Sequence, residues 1–139
     1  MDFNRLKDDR GASAVEFAII APVFLFMIAG MLAYGIYFGA ANSVQQAAAE
    51  AARASIAGLD DDERRELATA AVNAALTDDG LLQSVHAKID VTSDPARPDT
   101  FNVIISYDAS FLPIWDLGPP LPLPSPTIRR TSTVRVGGA

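Results

Sequence analysis

The amino-acid sequence predicts an α+β fold: one long N-terminal helix, a short second helix and a small antiparallel sheet of about three strands. Three observations predict it. Residues 17–41 hold no charge and almost no polar atom. The alanine-rich stretch behind them keeps helical spacing to about residue 57. From Val85 onward the hydrophobic period changes from helical to alternating.

The apolar run is long enough to cross a bilayer, which takes about 20 residues rising 1.5 Å each. Gly39-Ala40-Ala41 offers the small residues of a secretory cleavage site. A signal core, however, is usually only about 7–15 residues long, so a soluble domain released after Ala41 is a distant third reading. Arg5, Lys7 and Arg10 precede the run closely, and only Arg53 follows at comparable range. This asymmetry keeps the N-terminus cytoplasmic and exports the rest. Pro22 lies inside the run and predicts a mild kink.

Residues 42–57 extend the helix, rich in alanine with Gln, Glu and Arg. Val44, Ala47, Ala48, Ala51, Ser55 and Ile56 fall on one face, and Gly58 is a natural stop. One helix is therefore expected from about Ser13 to Ala57, apolar all round in its first half and amphipathic in its second. Gly35 and Gly39 make a small-residue step suited to close helix packing in lipid. Tyr34, Tyr37 and Phe38 suit either the membrane interface or contacts within a filament.

A second helix starts at Asp60, with Glu63 three residues on in capping-box spacing. Its expected apolar stripe is Leu67, Ala71, Ala75 and Leu76, and Thr77-Asp78-Asp79-Gly80 ends it. Val85, Ala87, Ile89 and Val91 define a first strand, with His86 on its solvent side. Residues 93–100, with Pro95 and Pro98, read as a turn or loop. Phe101, Val103, Ile105 and Tyr107 make a second strand, and Ile128 to Val136 a third. Residues 110–127 hold most of the prolines and form a long excursion, partly polyproline in character. Within it, Trp115 with Phe111, Leu112 and Ile114 either plugs the core or forms an interaction surface. Gly137-Gly138-Ala139 reads as a frayed end. The chain thus divides into a leader (1–11), a long helix (12–58) and an exported head (59–139).

Composition narrows the function. The net charge is −6, and all of it belongs to residues 11–139, because the charges of the first ten residues cancel. An acidic head is a poor nucleic-acid binder. The chain has no cysteine and one histidine, which gives metal sites little support. The Asp60–Asp62 run lacks the alternating ligands and central glycine of a calcium loop. A lone histidine gives no serine a partner, and no phosphate-binding glycine loop follows a strand. The expectation is a non-enzyme with no cofactor, metal or small-molecule substrate.

The sharpest signal is Arg10-Gly11-Ala12-Ser13-Ala14-Val15-Glu16-Phe17. A short charged leader ends in glycine, and a glutamate, an aromatic residue and the apolar run follow in order. Glycine lets an extended backbone enter a protease site unobstructed. A carboxylate beside a membrane span costs about 3 kcal/mol unless paired. Cutting after Gly11 creates an amine at Ala12, and Glu16 becomes the fifth residue of the mature chain. An amine on one subunit then meets the carboxylate of its neighbour.

This pattern resembles prepilins of the type IV pilin superfamily, and more closely the TadE-like family of tight-adherence (Flp) pilus proteins, over about residues 10–58. The resemblance implies cleavage between Gly11 and Ala12 by a prepilin peptidase. It implies assembly through Ala12, Glu16 and Phe17 with other pilins and tight-adherence assembly proteins, in contact with membrane lipid. It implies a minor pilin or pseudopilin serving adhesion, single-pass in the bacterial inner membrane, with the pilus or cell surface as the alternative location. The alternative of a different class is a signal-anchored exported domain that keeps residues 1–11 and binds an envelope partner without entering a filament.

Overall fold

A computed structural model describes residues 5–76, 80–117 and 122–136, with side chains from Gly11 onward. Residues 1–4 of the leader, the expected helix stop at Thr77–Asp79, the prolines at 119 and 120 and the Gly137–Ala139 tail lie outside the described residues.

The first helix, α1, runs over Arg5–Ala54 and passes through Pro22 without interruption. It starts earlier than the expected Ser13. Only Gly11 disfavours a helix between Arg5 and Ser13, by about 1 kcal/mol, and extending an existing helix adds a hydrogen bond per residue. Val44, Ala47, Ala48, Ala51 and Ser55 are buried as their spacing requires. Ile56 is not: it is 45% exposed, because a 3₁₀ turn over Ser55–Ala57 tightens the chain there and shifts its phase. The Ser55 hydroxyl bonds the carbonyls of Ala51, at 2.7 Å, and Arg64, at 3.0 Å.

Gly58 follows with φ −73° and ψ 140°, a conformation open to any residue. Glycine is needed for a different reason than helix termination. A Cβ at Gly58 would lie 2.8 Å from the Arg64 backbone nitrogen and 3.0 Å from its Cα. Gly58→Ala is therefore expected to destabilise the head by about 1–3 kcal/mol, the usual cost of forced overpacking. Chemical denaturation of the two proteins in detergent checks this.

The second helix, α2, covers Asp61–Ala75. Asp60 caps it by accepting from the Glu63 N–H at 2.8 Å, and the Glu63 carboxylate reaches back to the Leu59 N–H at 2.8 Å. The buried stripe is Ala68, Val72 and Leu76. Of the expected stripe Leu76 is buried, whereas Leu67 and Ala71 are half-buried and Ala75 is exposed, one residue out of phase with Ala68 and Val72.

Three antiparallel strands follow in the order β1 (Ala87–Asp94), β2 (Arg97–Asp108) and β3 (Thr127–Arg135). The expected turn or loop over 93–100 is a tight turn at Pro95-Ala96, with an irregularity at Ser93/Asp94 that absorbs Pro98, Asp99 and Thr100. The Asp94 carboxylate holds the turn, accepting from the Ala96 N–H at 2.9 Å and the Arg97 Nε at 3.2 Å. Phe101, Val103, Ile105 and Tyr107 of β2 are buried, and Ile105 pairs Ile89 and Arg130 across the sheet. Val85 is not in β1; it lies in a 3₁₀ turn over Ser84–His86 and is 76% exposed.

The layers are two helices over one sheet face, α1 on β2 and β3, α2 on β1 and on α1. In the excursion, Leu112 and Ile114 are buried and Phe111 is exposed, so the apolar patch mainly plugs the core. The Trp115 indole N–H donates to the Ala109 carbonyl at 2.8 Å.

Candidate assembly surface on the N-terminal helix

All the residues singled out by the sequence motif lie on α1. Gly11, Ala12, Glu16 and Phe17 are exposed, and so is every large hydrophobic side chain from Val15 to Leu32, at 39–72%. Among the described residues, nothing in the head buries a large side chain of this stretch. Burial begins at Ala33 and continues through Tyr37, Ala40 and Ala41. The apolar run therefore has two parts, bare to Leu32 and then half covered by the head. A bare apolar helix of this length is consistent with a membrane anchor.

Gly11 is helical, and a Cβ built on it meets nothing within 4 Å. Packing within the chain gives no reason for glycine there. Ala12 and Glu16 stand four residues apart on one helix face, and Glu16 makes no ion pair among the described residues. Gly35 and Gly39 also have open space where a Cβ would be, so neither is required by packing within the chain.

The C-terminal end of the run holds features the motif did not reveal. The Tyr37 hydroxyl donates to the Ser125 carbonyl at 3.1 Å, and the Tyr34 hydroxyl donates to the Pro122 carbonyl. A proline-rich segment leaves carbonyls without ladder partners, and two tyrosines on one helix face supply the donors. That juxtaposition was the available signal. The two rings thus tie the excursion to α1. His86, expected as a plain surface residue, stacks on Phe111 with centroids 4.3 Å apart.

The head's charges serve structure. The Ser93 hydroxyl chiefly, with Arg64 adding, lowers the Asp61 carboxyl below its ordinary value. Arg135 does the same for Asp99, and the Ser110 hydroxyl and N–H for Asp108. Asp62 pairs with Arg65 at 3.1 Å. Each lowered carboxyl stabilises the fold above its unfolded value of 3.8 and loses that contribution as pH falls through its lowered value. The melting temperature of the head is thus expected to drop as pH falls below the ordinary carboxylate value of 3.8, measured by circular dichroism in detergent. No cluster of potential metal ligands occurs among the described residues.

The family model described as TadE-like protein matches residues 11–53, a little under a third of the chain. The match starts at Gly11 and ends within the last turn of α1, so the N-terminal helix is TadE-like and the head lies outside the match. No curated protein and no solved structure matches the chain.

Proposed function

From this TadE-like helix we propose that the protein is an accessory subunit, a minor pilin or pseudopilin, in the assembly of a tight-adherence (Flp) type IV pilus used for adhesion. The family match supports a part in pilus assembly. One observation carries the finer reading. Gly11 sits where no internal packing asks for glycine, five residues before a carboxylate at the edge of a bare apolar helix.

In this reading the chain inserts with Arg5, Lys7 and Arg10 in the cytoplasm. A prepilin peptidase cuts between Gly11 and Ala12. The new amine of Ala12 and the carboxylate of Glu16 on a neighbour then offset one another's cost in lipid. Phe17 and the apolar side chains to Leu32 pack against other pilins, and Gly35 and Gly39 allow a close helix approach. The partners are the peptidase, other pilins, tight-adherence assembly proteins and membrane lipid. The work is association, with no reaction at the head.

The second reading is a signal-anchored exported domain that keeps its leader. The continuity of α1 from Arg5 through Gly11 favours it, since the backbone does not set the leader apart. The N-terminus of the protein from its native cells, read by mass spectrometry, separates the two. A start at Ala12 supports the pilin reading. A start at Met1 or Asp2 in cells with an active prepilin peptidase overturns it.

A further inference from the structure

The head keeps most of its exposed apolar side chains at one end. Outside α1, six large hydrophobic residues are exposed among the described residues: Ile56, Leu59, Leu81, Val85, Phe111 and Leu117. Ile56 and Leu59 lie at the far end, beside the turn from α1 to α2. The other four lie in segments gathered where the bare helix leaves the head. Leu81 and Leu82 line a groove with Gly39, Ala40 and Ser43. The next residue, Gln83, donates its N–H to the Tyr107 hydroxyl at 2.9 Å. Phe111 stacks on His86 beside Tyr107, and the turn over Pro113–Asp116 packs on α1.

Helix length sets the level of this end in a bilayer. Counted from Phe17, about 20 residues at 1.5 Å each cross the roughly 30 Å hydrocarbon layer and reach Ile36. The cover of the head begins at Ala33 and Tyr37. A spanning α1 thus puts the lower end of the head among the lipid headgroups, with no linker to raise it clear.

We propose that this end of the head is a lipid-contacting surface, with Leu81, Val85, Phe111 and Leu117 seated in the headgroup layer of the outer leaflet. The proposal rests on the transmembrane reading of α1. Exposed apolar side chains beside an emerging span gain by entering the interface. Trp115, half-buried with its N–H bonded, lies in the same segment and suits that layer. Asp108 and Asp116 stand at this end as well, so the contact is apolar insertion and not attraction to anionic lipid. It is expected to persist at high salt.

The chain has no cysteine, so single variants can be labelled uniquely. Full-length Leu81→Cys, Val85→Cys, Leu59→Cys and Met27→Cys proteins, each with a fluorophore, are reconstituted in phosphatidylethanolamine–phosphatidylglycerol vesicles containing nitroxide-bearing lipid. All four positions are exposed, so folding is preserved. Several-fold stronger quenching at the Leu81 and Val85 positions than at Leu59, unchanged by salt, is the expected result. Equal quenching at the three head positions, with Met27 quenched, overturns the proposal and leaves the span intact. Labels at Leu81 and Val85 shielded from both lipid-borne and aqueous quenchers show a second copy covering the face, which also overturns it. An unquenched Met27 position overturns the transmembrane reading and the proposal with it.

Discussion

Cells making a Gly11→Asp variant are expected to yield only full-length chain, and cells making the unaltered protein a chain that starts at Ala12. The proposed cut falls directly after Gly11, where a side chain enters the protease site with the scissile bond. Displacing a reacting bond by on the order of 1 Å costs roughly a hundredfold in rate. The variant is informative because a Cβ at Gly11 meets nothing in the folded chain, so lost processing cannot be ascribed to lost folding. Gly11 is also helical, and a protease that takes extended backbone must first unwind that turn. Gly11→Ala should therefore slow processing without abolishing it, since alanine favours the helix by about 1 kcal/mol. Intact-mass measurement of each variant gives the answer. A Gly11→Asp chain that still starts at Ala12 shows that the glycine is not what the peptidase reads.

The second large effect is expected in the head. Phe101→Ala should cost about 3–5 kcal/mol, the range for removing a buried aromatic ring. Phe101 is 1% exposed in the central strand, and the Arg64 guanidinium lies over its ring at 4.8 Å. Removing the ring opens a cavity and takes away the cation–π contact. The Arg64 Nε, already buried without a hydrogen-bond partner, would be left with less to offset it. Domains are typically stable by only about 5–15 kcal/mol, so the variant should lie close to unfolding. Denaturant titration of the full chain in micelles measures this, and a loss below about 1 kcal/mol would mean that the core refills the site.

The sequence reveals much of this architecture wherever a local rule and the tertiary packing agree. Asp60 with Glu63 is a self-contained capping arrangement, and it forms as read. The face built from Val44, Ala47, Ala48 and Ala51 is readable because every buried position there is small and the helix is long. Phe101, Val103, Ile105 and Tyr107 are readable because the central strand of a sheet has one face buried along its whole length. The failures share a cause. Alanines occupy both faces of α2, so Leu67 looked like the anchor when Ala68 is the residue packed inward. Pro98 suggested a loop, yet a proline at the start of a strand costs no ladder hydrogen bond. Gly58 does stop the helix as read, but the close approach of Arg64 that demands a glycine there is invisible until the chain folds back. At the candidate surface the motif pointed to Gly11, Ala12, Glu16 and Phe17 together. The contacts of Tyr34 and Tyr37 with Pro122 and Ser125 span 88 residues, and no local pattern encodes them.

The unbroken run of α1 from Arg5 to Ala54 has a mechanical consequence. At 1.5 Å per residue it forms a rod about 75 Å long, rooted in the head by the side chains from Ala33 to Ala52. A tethered domain swivels and explores a volume. A domain fixed on a rod has its heading set by the lean of the rod, and a sideways push on the head becomes torque on the bare half. The protein is built as a strut, so that load on the head reaches the bare part of the helix undiminished by slack.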